Sequence, residues 1–499
     1  MQNAFSILVG VFTGTNAIFG AAFGVLWGII GGALPGISPS IAMALILPLT
    51  YTMQPVVAII VLASVYVGAE YGGSIPAILI AAPGTNSAGA TVIDGYQMQL
   101  QGKGGEALGI SLQSGFIGGM VGLFFLVTLT GWLSKIALMF TPAAYFAIGI
   151  MGLSVISSLS EENLLKGLIP GVLGLMIATV GNDPISGVNR FTFGSVNLLQ
   201  GFGPIVIMIG LYAMAELLKQ SGSASWPKAR NDTKIIMPSF KLWRTRLMIP
   251  HIIGSIIGTI EGIIPGAGGT VAAFMSLNEA KRWSKHKEEF GHGSIEGVAA
   301  PECANNVVTA TALIPLLSFG IPGSNSAAVL LGGMLLHGLR PGPMLYISNL
   351  EVVYGLYGGL FFANILMVVI GLISLKGALW LVNRPMPYVI SVVFVLIFSG
   401  AYSLNQSLFE PAVVLFVGAI GFLMRYVGFS PLPMVLGVVL GFMVETNFRR
   451  ALELSAGDYM VFLGDPISII LLSIALIFIA ISVFRVLKSK VGKKGKASV

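Results

Sequence analysis

The first charged side chain in the sequence is Glu70. A run of 69 residues without Lys, Arg, Asp or Glu is comfortable only in lipid, or inside a bundle of helices in lipid. The whole chain keeps this character, with 9% charged and 55% hydrophobic residues and a mean hydropathy of +0.90 over 499 residues. A soluble domain carries about 25% charged residues, so a soluble enzyme, a nucleic-acid binder and a disordered chain are excluded together. The strands of a membrane barrel alternate apolar and polar residues, whereas here the apolar runs are continuous. The 65 glycines fit helices in a bilayer, where the backbone has no water to turn to and Gly allows close approach. The composition predicts an all-α polytopic membrane protein.

The remaining bulk features are quickly placed. One cysteine, Cys303, forbids an intrachain disulfide. The histidines, His251, His286, His292 and His337, have no spacing suited to a metal. These residues predict no metal site, and no cofactor is expected. The net charge of +7 sits in loops and at the C-terminus, as the positive-inside rule expects, and is not a nucleic-acid surface. The N-terminus lacks a basic segment ahead of its first apolar run, so the first helix reads as an uncleaved insertion signal.

Apolar stretches recur along the chain and predict about 10–14 membrane segments, each near the roughly 20 residues needed to cross a bilayer. One break between them is placed at 133–134, dividing 106–132 from 135–157. The aqueous linker 219–246 holds seven basic residues against one acid, Asp232, and reads as cytoplasmic, as does the basic tail 488–499. Residues 1–218 and 247–487 then form two transmembrane repeats, the second with extra C-terminal helices. Gly24, Gly28, Gly32, Pro35 and Gly36 match Gly254, Gly258, Gly262, Pro265 and Gly266 at an offset of 230. Pro83-Gly84-Thr85-Asn86-Ser87 matches Pro322-Gly323-Ser324-Asn325-Ser326 at an offset of 239. Two motifs keeping their order indicate duplication. The loop 50–55 is uncharged, while its counterpart carries Lys281, Arg282, Lys285 and Lys287. Opposite loop charge at equivalent positions predicts inverted repeats.

Four Pro-Gly pairs interrupt the apolar segments, at 35–36, 83–84, 265–266 and 322–323. Pro removes a backbone donor and blocks the helical bond to the preceding turn. Backbone freed in this way at membrane depth must be buried in protein or line a wet cavity. Four breaks paired by a repeat predict re-entrant hairpins or broken helices around a transport site. Thr85, Asn86, Ser87, Ser324, Asn325 and Ser326 follow two of the breaks, and can cap a half-helix and offer donors to an anion. Ser38, Ser40, Gly268, Gly269 and Thr270 follow the other two. No Lys or Arg lies in these clusters. Moving one negative charge inward against 100 mV takes about 2.3 kcal/mol, so an anion held there is expected to travel with cations. Glu70 and Glu302 are equally readable as cation-binding and as structural acids. Asp94 and Asp183 read as hydrogen-bonded or interfacial, Asp183 pairing with Arg190 in a loop. No nucleophile, acid or histidine group sits at a catalytic spacing, so the chain is not expected to be an enzyme.

The stretches 31–39, 71–76, 83–87, 190–194, 301–306 and 320–325 together resemble the large membrane subunit, TctA type, of the tripartite tricarboxylate transporter family. The resemblance implies a bacterial inner-membrane carrier importing a tricarboxylate or dicarboxylate by sodium- or proton-driven symport. It implies two partners, a small four-helix membrane subunit and a periplasmic solute-binding protein that delivers substrate. The twin clusters are also similar to motifs of sodium-coupled dicarboxylate carriers. That likeness makes Ser38, Thr85, Asn86, Ser87, Gly268, Ser324, Asn325 and Ser326 the candidate substrate contacts. Candidates for the coupling ion are Pro35, Gly36, Pro83, Gly84, Pro265, Gly266, Glu302, Asn305, Asn306, Pro322 and Gly323. Alternating access of the elevator form is expected by analogy. An anion channel, or a carrier for another small organic anion, is the alternative.

Overall fold

The computed structural model describes residues 4–34, 36–159, 164–183, 185–221, 234–265, 268–383 and 386–480. Pro35, Gly266, part of the linker (222–233) and the basic tail lie outside the described residues. The described residues are mostly helical, and their only strands form one two-residue hairpin, Gly181–Asn182 against Asn189–Arg190.

Six described helices are long and apolar enough to cross a membrane, and the bent pair Phe5–Gly14 and Ala17–Ala33 adds a seventh. Six shorter apolar helices of 10–17 residues accompany them. The expectation of ten to fourteen segments therefore counted short arms together with full spans. The break expected at 133–134 is absent: Gly104–Ala137 runs as one 34-residue helix. Trp132, Leu133 and Ser134 neither remove an amide nor force an unusual backbone angle, and the next helix begins only at Pro142, where a proline suits a first turn.

Packing divides the chain into two compact units. The first comprises Met1–Ser134 and Glu216–Ser407, the second Lys135–Ala215 and Leu408–Val499. Each side of the linker thus gives its earlier helices to the first unit and its later ones to the second.

In the first unit, Ala17–Ala33 is followed by the arm Pro39–Ile46, the span Pro55–Ile80, the arm Ala88–Leu100 and Gly104–Ala137. After the linker come Met248–Ile263, Gly268–Trp283, Ile295–Thr311 with Leu313–Phe319, Asn325–Leu336 and Leu350–Val382. The matching order is accompanied by matching contacts. A Cβ on Gly24 or Gly28 would stand 2.5 or 2.4 Å from the carbonyl oxygens of Val61 and Val65. On Gly254 or Gly258 it would stand 2.7 or 2.5 Å from those of Ala300 and Ala304. Both glycine ladders therefore seat backbone directly on backbone.

The helix ends at the second and fourth breaks also match. Ala81 and Gly320 both adopt the left-handed conformation, with φ of 55° and 79°. The Ala82 amide donates to the Pro76 carbonyl and the Ile321 amide to the Pro315 carbonyl, at 3.2 and 3.3 Å. The Gly84 amide donates to the Gly73 carbonyl and the Gly323 amide to the Ala312 carbonyl, at 3.0 and 3.1 Å. Each break is thus closed by its own backbone.

In the second unit, Leu432–Leu454 packs against Pro142–Leu159 and Leu164–Ala178. Phe146, Phe448 and Phe462 form its aromatic centre. Arg190 meets Glu445 at 2.5 and 3.2 Å, and Arg449 meets Asp183 at 2.8 and 3.1 Å. Arg190 is 4.0 Å from Asp183, so the expected loop pair is one edge of a four-residue network.

Candidate functional site

The first unit carries all four breaks. Arms from the two halves pack crosswise: Pro39–Ile46 lies against Asn325–Leu336, and Gly268–Trp283 against Ala88–Leu100. Each short polar cluster therefore sits beside elements of the other half.

Around the second break, the Thr85 hydroxyl accepts from the Ala88 amide at 3.2 Å and lies 3.0 Å from the Ser87 hydroxyl. Around the fourth, Ser324 accepts from the Ala327 amide at 3.1 Å. Each thus satisfies one of the amides that a helix start leaves open. Ser324 also meets the Tyr66 hydroxyl at 3.1 Å. Thr85, Ser87, Ser324 and Ser326 are buried, whereas Asn86 and Asn325 are exposed. Each cluster thus turns its asparagine toward solvent-accessible space and its hydroxyls inward. Gly84 and Gly323 are buried at close approaches. A Cβ on Gly84 would stand 1.9 Å from the Gly32 carbonyl oxygen, and one on Gly323 would stand 2.8 Å from that of Gly262. Pro83 is exposed and Pro322 buried.

Ser38, half-buried, meets Ser40 at 2.9 Å. Gly36 has φ +84°, and a Cβ there would stand 2.2 Å from Gln220 Nε2. Leu34 and Ile37 flank this break and line a largely apolar cavity of 590 Å³ with Trp27, Trp380 and Tyr388. The first break therefore has an apolar side unsuited to a carboxylate. At the third, Pro265, Gly268, Gly269 and Thr270 are half-exposed, and Gly268 has φ +65° with open space beside it.

Two carboxyls lie in the same unit. Glu70, buried on Pro55–Ile80, accepts from the Ser87 hydroxyl at 3.0 Å and from the Asn305 side-chain amide at 2.9 Å. Glu302 is 1% exposed and accepts from the hydroxyls of Ser74 (2.6 Å), Ser111 (2.8 Å) and Thr91. Neither carboxyl has an ion pair among the described residues, and no Lys or Arg is among their buried side chains. Burying an ionised carboxylate without a counter-charge costs several kcal/mol. Asn306 points elsewhere: its amide donates to the Glu302 carbonyl at 2.9 Å, and it faces Gly115 on Gly104–Ala137. Asp94 is structural, as the sequence suggests. One of its oxygens accepts from the amides of Gly291 (2.7 Å), Gly293 (3.1 Å) and Ser294 (2.9 Å).

A model of the tripartite tricarboxylate transporter TctA family matches residues 18–436, a range that includes every break and both acids. The chain belongs to the TctA family. It is 38% identical over 453 residues to an "Uncharacterized 52.8 kDa protein in TAR-I ttuC' 3'region" of Agrobacterium vitis, covering 89% of each chain. It is 37% identical over 235 residues to an "Uncharacterized protein in TAR-II ttuC' 3'region" of the same organism, covering 47% of this chain and 96% of that one. No solved structure matches it. The family is one of transporters, and the fold is that of a multi-pass membrane protein.

Sequence reasoning missed Tyr66, Ser74, Thr91 and Ser111. A signal existed for two of them. Tyr66, Glu70 and Ser74 recur every fourth residue in a largely apolar helix and so share one face.

Proposed function

We propose that this TctA-family chain is a cation-coupled carrier that imports a tricarboxylate or dicarboxylate by alternating access. The reading extends to two antiparallel repeats, 1–218 and 247–487, joined by the cytoplasmic linker 219–246. The observation that carries it is the crosswise packing of the broken-helix arms in one unit, with Asn86 and Asn325 turned outward at equivalent tips. Two amide side chains and the helix starts behind them suit the carboxylate groups of one substrate, because they offer donors and a partial positive charge without a fixed cation. Ser38 and Gly268 would frame the same substrate from the other two arms.

The buried acids support cation coupling. Glu70 and Glu302 have neutral donors only, so a proton or metal cation arriving there relieves their buried charge. Each cation also offsets about 2.3 kcal/mol per 100 mV for each negative charge moved inward. The unit bearing all four breaks is the moving part in the elevator form of the mechanism. A periplasmic binding protein would deliver the substrate and a small four-helix subunit would complete the carrier, in a bacterial inner membrane.

The test is uptake of radiolabelled citrate and succinate by cells expressing the complete transporter, with the sodium and proton gradients collapsed in turn. Saturable uptake abolished by loss of one gradient is the expected result. Non-saturable flux indifferent to both would indicate a channel and overturn the reading.

A further inference from the structure

Glu70 receives both its donors, Ser87 and Asn305, on the single oxygen Oε2. Both partners donate, so Oε2 acts as an acceptor, as it can in either protonation state. An ionised carboxylate withdrawn from water, with no buried Lys or Arg among the described residues, needs a counter-charge.

Asn305 supplies an independent observation. Asn305 is 2% exposed, its side-chain nitrogen donates to Glu70, and its carbonyl oxygen Oδ1 is buried without a hydrogen-bond partner among the described residues. That oxygen is aimed at the third break. A Cβ on Gly269 would stand 2.3 Å from Asn305 Oδ1 and 3.8 Å from the Ser87 Cβ. Any residue but glycine would fill this space. The Ser87 hydroxyl oxygen lies 3.0 Å from Glu70 Oε2, and the Thr85 hydroxyl oxygen 3.0 Å from that of Ser87. A carboxylate, an amide carbonyl and hydroxyls form an all-oxygen set that suits a hard cation, and a single full charge suits a monovalent one.

We propose that Glu70, Asn305, Thr85 and Ser87 form a binding site for one Na+, kept open by the missing side chain at Gly269. The proposal rests on the carrier reading above and refines it. The exposed Asn86 meets the carboxylate, while its buried neighbours hold the cation, so anion and cation share one helix tip. Glu302, already supplied by three hydroxyls, is not a member of the site.

The test is equilibrium binding of 22Na+ to the purified full chain in lipid nanodiscs, with and without citrate. The wild type is expected to bind saturably, and Glu70→Gln, Asn305→Ala and Gly269→Ala to bind at least tenfold more weakly. Gly269→Ala removes no oxygen and adds one methyl group at a half-exposed tip, and its loss of binding at an unchanged melting midpoint separates occupancy of the site from misfolding. Undiminished binding in Gly269→Ala and Asn305→Ala, or no saturable binding by the wild type, overturns the site. The two proposals fail separately. Citrate uptake that requires Asn86 and Asn325 while these variants bind 22Na+ normally removes the cation site and keeps the carrier. Specific 22Na+ binding with uptake indifferent to both asparagines does the reverse.

Discussion

Thr91, Ser74 and Ser111 come from three different helices to donate hydrogen bonds to Glu302. A hydrogen bond to a charged group contributes about 1.5–3 kcal/mol, more than one between neutral groups. Thr91→Val keeps the shape and removes one donor, so it is expected to lower stability by about 2 kcal/mol, read as a fall in the melting midpoint in detergent. Asp183 gives a pH dependence in the second unit. Hydrogen bonds from the Ser186 hydroxyl, the Arg449 guanidinium and the Ile185 amide hold its carboxyl below the usual carboxylate range. Its contribution is therefore fully present above the unfolded value of about 3.9 and is lost as pH falls toward the lower folded value. Asp183→Asn should accordingly reduce stability near neutral pH and make no difference in strong acid, measured by thermal unfolding across pH. At this scale the sequence was legible where polar residues interrupt an apolar helix, as at Glu70 and Glu302. It was silent on Thr91 and Ser111, because nothing local says which hydroxyl in a small-residue helix will meet a carboxylate more than 190 positions away.

The helix ends were the most readable elements, since Pro and Gly act through the backbone wherever tertiary packing places them. Thr85 and Ser324 cap their arms as the polar clusters suggested. The repeat also exposes one local mismatch. Ala81 holds a left-handed backbone where its equivalent is Gly320. That conformation costs a residue with a Cβ roughly 1 kcal/mol or more. Ala81→Gly is expected to stabilise the chain by about 1 kcal/mol, measured as a rise in melting midpoint. The glycines at the breaks should respond in the opposite direction. Gly84→Ala, with its methyl aimed at a carbonyl oxygen 1.9 Å away, is expected to be more damaging than Gly323→Ala, where the nearest is 2.8 Å away. Overpacking of this kind costs about 1–3 kcal/mol, and surface expression of the two variants gives the ranking. What the sequence could not separate was Asn305 from Asn306. Adjacent residues on a helix point about 100° apart, and only the packing shows that Asn305 turns to Glu70 while Asn306 turns to Gly115.

At the scale of the molecule, repetition in the sequence and division by packing follow different lines. Each half contributes to both units, which no local pattern announces, because it depends on which apolar faces find one another. The proposed function follows the packing: every break, both polar tips and both buried acids fall in one unit. The central claim is that the two equivalent tips hold one substrate through their outward asparagines. The most direct test is uptake of radiolabelled citrate and succinate by Asn86→Ala and Asn325→Ala, each checked for normal membrane insertion. The account predicts that either substitution alone abolishes uptake, since one tip cannot hold the anion without the other. Normal transport by both variants would contradict it.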